Sequence, residues 1–332
     1  MGRYLIRRLL WAVVLFWAVT VVSYVLFYLI PANPARQACG QACTDADVKR
    51  VAGYLGTDRP IYVQYGKFVG RLLPFSFAGG PHFKTPSLGN SFFNRQPVNK
   101  IVVQAAPVTA TLVFGGVIFW LLLSIPIGVL SALRPRSLLD RASMTFVLIG
   151  ISAHPIWIGL ILAYFIGYKL HLTPITNYAD FFNPPPGQPG GPVQWAYHMI
   201  LPWTAYSILF AALYARMIRA NVLETMNEDY VRTARAKGAS ESRVLRAHIL
   251  RNALLPVVTM LGMDIGVGLG GAIFTETIFS LPGLGRTSII ALNNYDTPTV
   301  QGVIVFATVA IICFNLLVDL LYAVIDPRIR LA

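Results

Sequence analysis

Apolar residues along this chain gather in long blocks, separated by polar stretches rich in proline and glycine. Blocks at residues 9–30, 108–133, 142–168, 199–223, 257–281 and 300–325 are each long enough to cross a hydrocarbon core about 30 Å thick. Pro126, Pro155 and Pro202 fall in or near them, which membrane helices tolerate when neighbouring helices or water satisfy the freed carbonyls. No stretch alternates with a period of two, as the strands of a membrane β-barrel do. The pattern predicts an all-α membrane protein with six transmembrane helices. The first block follows Arg3, Arg7 and Arg8 and runs into Pro31-Ala32-Asn33-Pro34. It is longer than the apolar core of a signal peptide, so it is read as a retained helix.

Composition agrees: 55% of the 332 residues are hydrophobic and only 12% charged, about half the charge of a soluble domain. Lys plus Arg number 27 against 14 Asp plus Glu, a net charge of +13. In so apolar a chain this excess marks basic cytoplasmic loops rather than a nucleic-acid surface. With both termini inside, Arg3, Arg7, Arg8, Arg134, Arg136, Arg141, the basic residues from Arg216 to Arg251, Arg328 and Arg330 are all cytoplasmic. The short outer segments after the third and fifth spans then carry only Lys169 and Arg286. Residues 31–100 are long enough to cross regardless of charge and form an expected extracytoplasmic subdomain. The resulting division is 1–30 (N-terminus and first span), 31–100, a core at 101–325 and a cytoplasmic tail at 326–332. A loop containing Pro184-Pro185-Pro186-Gly187 joins the third and fourth spans. Cys39 and Cys43 lie on the outer side, where oxidation is permitted; a disulfide or two free thiols both remain open. No nearby His or acidic cluster completes a metal site with them. Cys313 sits in the last span.

The inner segment 224–256 changes character. Asn227 can cap a helix with Glu228 and Asp229 in its first turn and Arg235 and Lys237 in its last. Gly238 supplies a left-handed stop. Ser240 can cap a second helix through Val244, Leu245, His248 and Ile249, and Pro256 marks the turn into the next span. Simple basicity, which lipid headgroups would satisfy, does not require two helices hinged at a glycine. Nor does it explain carrying Tyr230, Val231, Ala234, Val244 and Leu245 into water. The expectation is a helical hairpin fitting a groove on a partner protein.

Residues Glu228-Asp229-Tyr230-Val231-Arg232-Thr233-Ala234-Arg235-Ala236-Lys237-Gly238-Ala239-Ser240 resemble the "EAA" coupling loop of permease subunits of bacterial ABC importers. The closer resemblance is to the dipeptide/oligopeptide branch, and to the first (B-type) of its two paired permeases. It extends through Arg3-Tyr4-Leu5-Ile6-Arg7-Arg8, Leu55-Gly56-Thr57-Asp58-Arg59-Pro60, Ser87-Leu88-Gly89, Asn315-Leu316-Leu317-Val318-Asp319 and Asp326-Pro327-Arg328. Its most specific signature is Phe274-Thr275-Glu276-Thr277-Ile278-Phe279-Ser280-Leu281-Pro282-Gly283-Leu284-Gly285-Arg286. The resemblance implies a type I importer permease bundle, N-in and C-in, in the bacterial inner membrane. It implies a second homologous permease, two cytoplasmic ATPase subunits or one fused ATPase, and an extracytoplasmic substrate-binding protein, surrounded by membrane lipid and without nucleic acid. ATP and Mg belong to the partner ATPases, and this chain binds no cofactor. The family carries dipeptides or oligopeptides, with haem, nickel or glutathione in some branches. The implied coupling residues are Glu228, Asp229, Tyr230, Arg232, Ala234, Gly238, Ala239, Arg243 and Leu245. Arg232 stands where the general motif has a glutamate, which makes Glu228, one turn earlier, the candidate substitute. Leu250-Arg251 replaces the motif's Leu-Pro.

No G-x-x-x-x-G-K-[ST] loop occurs, since Gly66-Lys67 is followed by Phe68, and the five His suggest no catalytic or metal set. Asp264 lies beside Gly262, Gly266, Gly268, Gly270 and Gly271. An ionised Asp at a helix centre costs about 2.5–3.5 kcal/mol on insertion scales and should face the interior or water. Either it lines the substrate path or its gate, or it pairs with a neighbouring helix while the glycines permit close packing. Asn315 and Asp319, four residues apart in the sixth span, share a helix face and are candidates for the substrate path or gate, or for a polar seam between helices or subunits. Glu276 and Arg286 flank the outer Leu281-Pro282-Gly283 turn, where incoming substrate or a binding protein would meet them. The rival class is an ATP-independent secondary transporter or channel, for which internal repeats or intramembrane charge pairs would be expected.

Overall fold

A computed structural model describes residues 2–29, 36, 43–55, 60–73, 75–76, 82–83, 85–182, 184 and 190–325. The chain begins with α1 (Gly2–Tyr24), which widens into a π-helical turn at Val25–Leu29. The outer segment holds α2 (Asp45–Leu55), α3 (Ile61–Leu72) and a minimal antiparallel ladder of β1 (Phe75–Ser76) on β2 (His82–Phe83). Next come α4 (Val98–Leu133), α5 (Leu138–Ser152), α6 (Pro155–Leu162, prolonged by π-helical Ala163–Lys169) and α7 (Pro192–Met226). The hairpin consists of α8 (Asp229–Ala236) and α9 (Glu241–Ala253, π-helical over Val244–Leu250). The chain continues through α10 (Leu255–Leu269), α11 (Ile273–Ile278), α12 (Leu284–Asn293) and α13 (Thr297–Ile325).

Within these, Ile6–Phe27, Val98–Leu133, Pro192–Met226 and Thr297–Val318 are long and apolar enough to cross a membrane unaided. The count reaches six when each of two bent helix pairs is taken as one crossing. The expected third span, 142–168, is therefore not one straight helix: α5 and α6 meet at 106°. Pro155 lacks an N–H and cannot continue the α5 ladder, so it starts a new helix, with the His154 ring accepting from Ile156 N at 3.3 Å as its cap. The expected fifth span, 257–281, is also corrected. Its helix α10 ends at Leu269, and 15 residues rise only about 22 Å. Gly271 then turns the chain at φ +126, in contact so close that a Cβ there would lie 2.7 Å from Gly285 Cα. The chain folds back as the short α11.

The main core joins α4, α7, α10 and the hairpin through Trp120, Tyr214, Ile218, Val222, Val231 and Val244, all fully or almost fully buried. Glycines set the close helix approaches. A Cβ on Gly128 would lie 2.8 Å from Ala215 O and Ile218 Cβ, so α4 and α7 touch backbone to backbone there.

The outer segment is anchored twice. On one side, the hydroxyls of Thr20 and Tyr65 lie 3.0 Å apart and Tyr24 donates to Gln64 at 2.9 Å, tying α1 to α3. On the other, buried Asp296 accepts from Ser91 Oγ at 2.5 Å, Phe92 N at 2.8 Å and Thr299 Oγ1 at 2.7 Å. The start of α2 is closed by a reciprocal cap, in which Thr44 Oγ1 donates to Asp47 at 2.6 Å and accepts from Asp47 N. The Thr44 hydroxyl, helped by Thr44 N–H, holds the Asp47 carboxyl below the usual range. Cys43 is disulfide-bonded and Cys313 is a free thiol; Cys39 lies outside the described residues.

Candidate functional site

The hairpin forms where the sequence places it, with two changes at its helix ends. Asn227 does not cap α8: it closes α7, its side chain donating to Leu223 O at 2.9 Å, and Glu228 occupies the cap position. Ser240 stands at the start of α9 without a side-chain cap bond. Gly238 takes φ +79 as the left-handed stop, and Gly238 N reaches Arg235 O at 2.9 Å. Across the hinge, Arg235 grips Glu241 through Nε at 2.9 Å and Nη2 at 3.3 Å, and Asn252 donates to the Tyr230 hydroxyl at 2.7 Å.

The larger correction concerns the apolar residues. Val231 and Val244 are not carried into water; both have no exposed surface and join the core with Ile218 and Val222 of α7. Ala234, Ala239 and Leu245 are partly buried against the same cluster. The hairpin spends its apolar face on its own bundle. What remains outward is polar: Glu228, Asp229, Arg232, Arg235, Lys237, Gly238 and Arg243 are exposed, with the Tyr230 ring 40% exposed among them. Arg232 and Asp229 lie 3.7 Å apart at the surface. The outward face of the hairpin therefore offers charge, one tyrosine and a glycine whose Cβ position is open.

In the bundle, Asp264 of α10 is half-buried and accepts from the Tyr214 hydroxyl of α7 at 2.6 Å. Tyr214 belongs to an aromatic group with Trp120, Tyr206 and Phe210, in which Trp120 and Phe210 stack at 4.6 Å. The nearby glycines pack closely, Gly266 against Ile311 of α13 and Gly268 beneath the Tyr206 hydroxyl. Asp264 thus has a partner on a neighbouring helix and still keeps part of its surface open.

Glu276 departs from its expected place. It has no exposed surface and meets no incoming solute in this conformation. Its carboxylate accepts from Thr109 Oγ1 at 2.8 Å, Arg286 N at 3.0 Å and Ala272 N at 3.2 Å. Thr109 in turn accepts from Leu284 N at 2.8 Å. Gly283 and Gly285 leave the room, since a Cβ on Gly285 would come 3.1 Å from Glu276 Oε2 and also crowd Ile273. Glu276 staples the 271–286 turn to α4. Arg286 is half-buried and donates to Ser280 O at 2.6 Å. Asn315 is half-buried on α13, and the Asp319 side chain lies outside the described residues.

One cluster escaped the sequence reading. At the inner ends of three helices, Asp140 accepts from Arg219 Nε at 2.8 Å, Arg219 Nη2 at 3.0 Å, Arg136 N at 2.8 Å and the Ser131 hydroxyl. The available signal was Ser137 three residues before Asp140, a helix-start pattern, and a lone acid inside a basic turn.

Broken helices bundled around close glycine contacts, with a polar hairpin held out at one end, define a multi-pass membrane subunit built to work with other chains. Residues 124–331 match the family described as binding-protein-dependent transport system inner membrane component, and residues 1–113 match its N-terminal companion family. The chain belongs to this family: it is an inner-membrane permease subunit of an ABC importer, a transport component rather than an enzyme. It is 35% identical to the dipeptide transport system permease protein DppB of Escherichia coli K12, covering 99% of each chain. It is 36% identical to the di/tripeptide transport system permease protein DppB of Pseudomonas aeruginosa, covering 98% of each. A probable peptide ABC transporter permease protein of Sinorhizobium fredii is 34% identical, over 99% of this chain and 100% of that one. In fold, the chain is similar to the inward-facing MetNI methionine ABC transporter, with TM-score 0.54 and 17% identity over 68% of this chain and 97% of that one.

Proposed function

We propose that this chain is one of two paired permeases of an ATP-driven importer for dipeptides or oligopeptides delivered by an extracytoplasmic binding protein. A second homologous permease completes the pathway. Two cytoplasmic ATPase subunits, or one fused ATPase, hold ATP and Mg and seat the 224–256 hairpin. The peptide class rests on the relatives' names. The observation that carries the coupling role is the hairpin's division of labour: its apolar residues are buried in its own bundle, and its charged face with Tyr230 and Gly238 is left outward. Glu228 and Arg232 are both exposed, so either can meet the ATPase where the general motif offers a glutamate. Asp264 is assigned to the substrate path or its gate, supported by its half-open carboxylate. Residues 31–100 are assigned to an extracytoplasmic subdomain. The bonded state of Cys43 beside a free Cys313 favours pairing with Cys39.

Co-purification tests the reading. The ATPases should stay with the native chain and be lost with Gly238→Trp. That change strains a φ of +79 and fills space that the chain itself leaves open. Solute uptake by this chain alone in liposomes, without ATP, would refute the proposal and favour a secondary transporter or channel.

A further inference from the structure

We infer that the Asp140–Arg219 ion pair is the joint through which movement of the coupling hairpin reaches the half-span α5. The inference rests on the hairpin being the ATPase seat. The hairpin joins α7 through Asn227 and Glu228 and α10 through Leu254, so its displacement acts directly on both helices. Arg219 sits about two helical turns before the end of α7. α4 follows α7 by direct backbone packing at Gly128. α5 needs another connection, because Pro155 breaks its helix and the 106° bend separates it from α6.

Two of the contacts between α5 and α7 bear on it. Near the outer end of α5, Gly150 lies on Ala212, where a Cβ would approach to 2.8 Å. At the inner end is the ion pair, with the Asp140 side chain 7% and the Arg219 side chain 25% exposed. The guanidinium meets the carboxylate with two nitrogens and also reaches Ser131 Oγ at 3.1 Å, so α7, α5 and the end of α4 meet at one group. A bidentate, charge-assisted pair fixes orientation as well as distance. A grease contact would let α5 slide or roll on α7. Salt-bridge networks between rigid elements are a physical route for such coupling. Asp140 and Arg219 are positioning residues, acting on transport through α5.

The test uses the assembled complex with its ATPases in nanodiscs, in a Cys313→Ser background. Nitroxide labels are placed through Leu148→Cys on α5 and Glu224→Cys on α7, both exposed positions. Pulsed EPR compares the nucleotide-free state with the ATP–vanadate-trapped state. With the ion pair intact, the distance distribution should be the same in both states. With Arg219→Met it should shift by roughly 2 Å or more on trapping, the scale of helix displacements in such switches. The neutral double variant Asp140→Asn, Arg219→Gln leaves no lone buried charge and should shift likewise, whereas a pair that only aids folding would give no nucleotide-dependent change. A distance that changes on trapping with the pair intact overturns the inference. So does an unchanged distance in both variants, or failure of both to assemble. Absence of the ATPases from the unsubstituted complex refutes the hairpin reading itself.

Discussion

Thr109→Val isolates the staple beneath the outer turn. Valine matches threonine in shape and removes only the hydroxyl, which donates to Glu276 Oε1 and accepts from Leu284 N. Two buried groups lose a partner at once. Leu284 N–H sits where Leu284 has no exposed surface, and an orphaned buried donor costs about 1–3 kcal/mol. Glu276 keeps Arg286 N and Ala272 N, so its loss is one charge-assisted bond, about 1.5–3 kcal/mol. Because the two losses share one hydroxyl and the turn can relax, the expected total is about 3 kcal/mol. Thr109→Ser keeps the hydroxyl and gives up one methyl, about 1 kcal/mol. The assay is the thermal aggregation midpoint of the detergent-purified complex. The expected order is native, then Ser, then Val well below both. A Val variant as stable as native would refute the assignment of Glu276 as a structural staple and return it to the list of groups that meet solute.

Asp264→Asn keeps the shape and an acceptor for the Tyr214 hydroxyl but removes the charge; uptake in the assembled complex should fall while ATPase subunits still co-purify. Native uptake would leave Asp264 a packing partner only. Asp296→Ala strands the donors on Ser91, Phe92 and Thr299, so trypsin should cleave after exposed Arg95 faster than in the native chain. Equal cleavage rates would show that the outer segment is held elsewhere. Val231→Asp places an uncompensated charge in the core and should release the hairpin, read as faster tryptic cleavage after Arg232 and Arg235 and as loss of the ATPases. Retention of both native properties would contradict the buried underside.

The six apolar blocks and the hairpin hinge were legible in the sequence because both are local. A block needs only length, and Gly238 needs only to be the residue that tolerates φ +79. Less legible was where a block breaks. Pro126 remains inside α4 and Pro202 inside α7, whereas Pro155 starts a new helix at a right-angle bend. The residues alone do not distinguish these cases, since the outcome depends on whether the neighbours supply the missing bonds. Glu276, Asp140 and Asp296 were illegible for a related reason. Each is an acid whose donors come from far along the chain, Thr109 for the first, Arg219 for the second and Ser91 for the third. Sequence could rank them as costly to bury and could not say that the cost is met.

The hairpin's burial pattern also bears on the coupling role proposed for it. Seating Val231 and Val244 contributes about 1.5–3 kcal/mol each, whereas the exposed Arg235–Glu241 pair contributes at most about 1 kcal/mol. The underside therefore holds the hairpin to α7, and the ion pair only trims the angle between its arms. A partner that had to extract those valines to bind would lose that energy and leave a loose tether. One that grips the charged upper face keeps the underside seated, so a push on the hairpin becomes a push on α7. Substitutions on the two faces should then separate cleanly: charged-face changes should weaken ATPase attachment without altering the hairpin's protease resistance, and underside changes should do both.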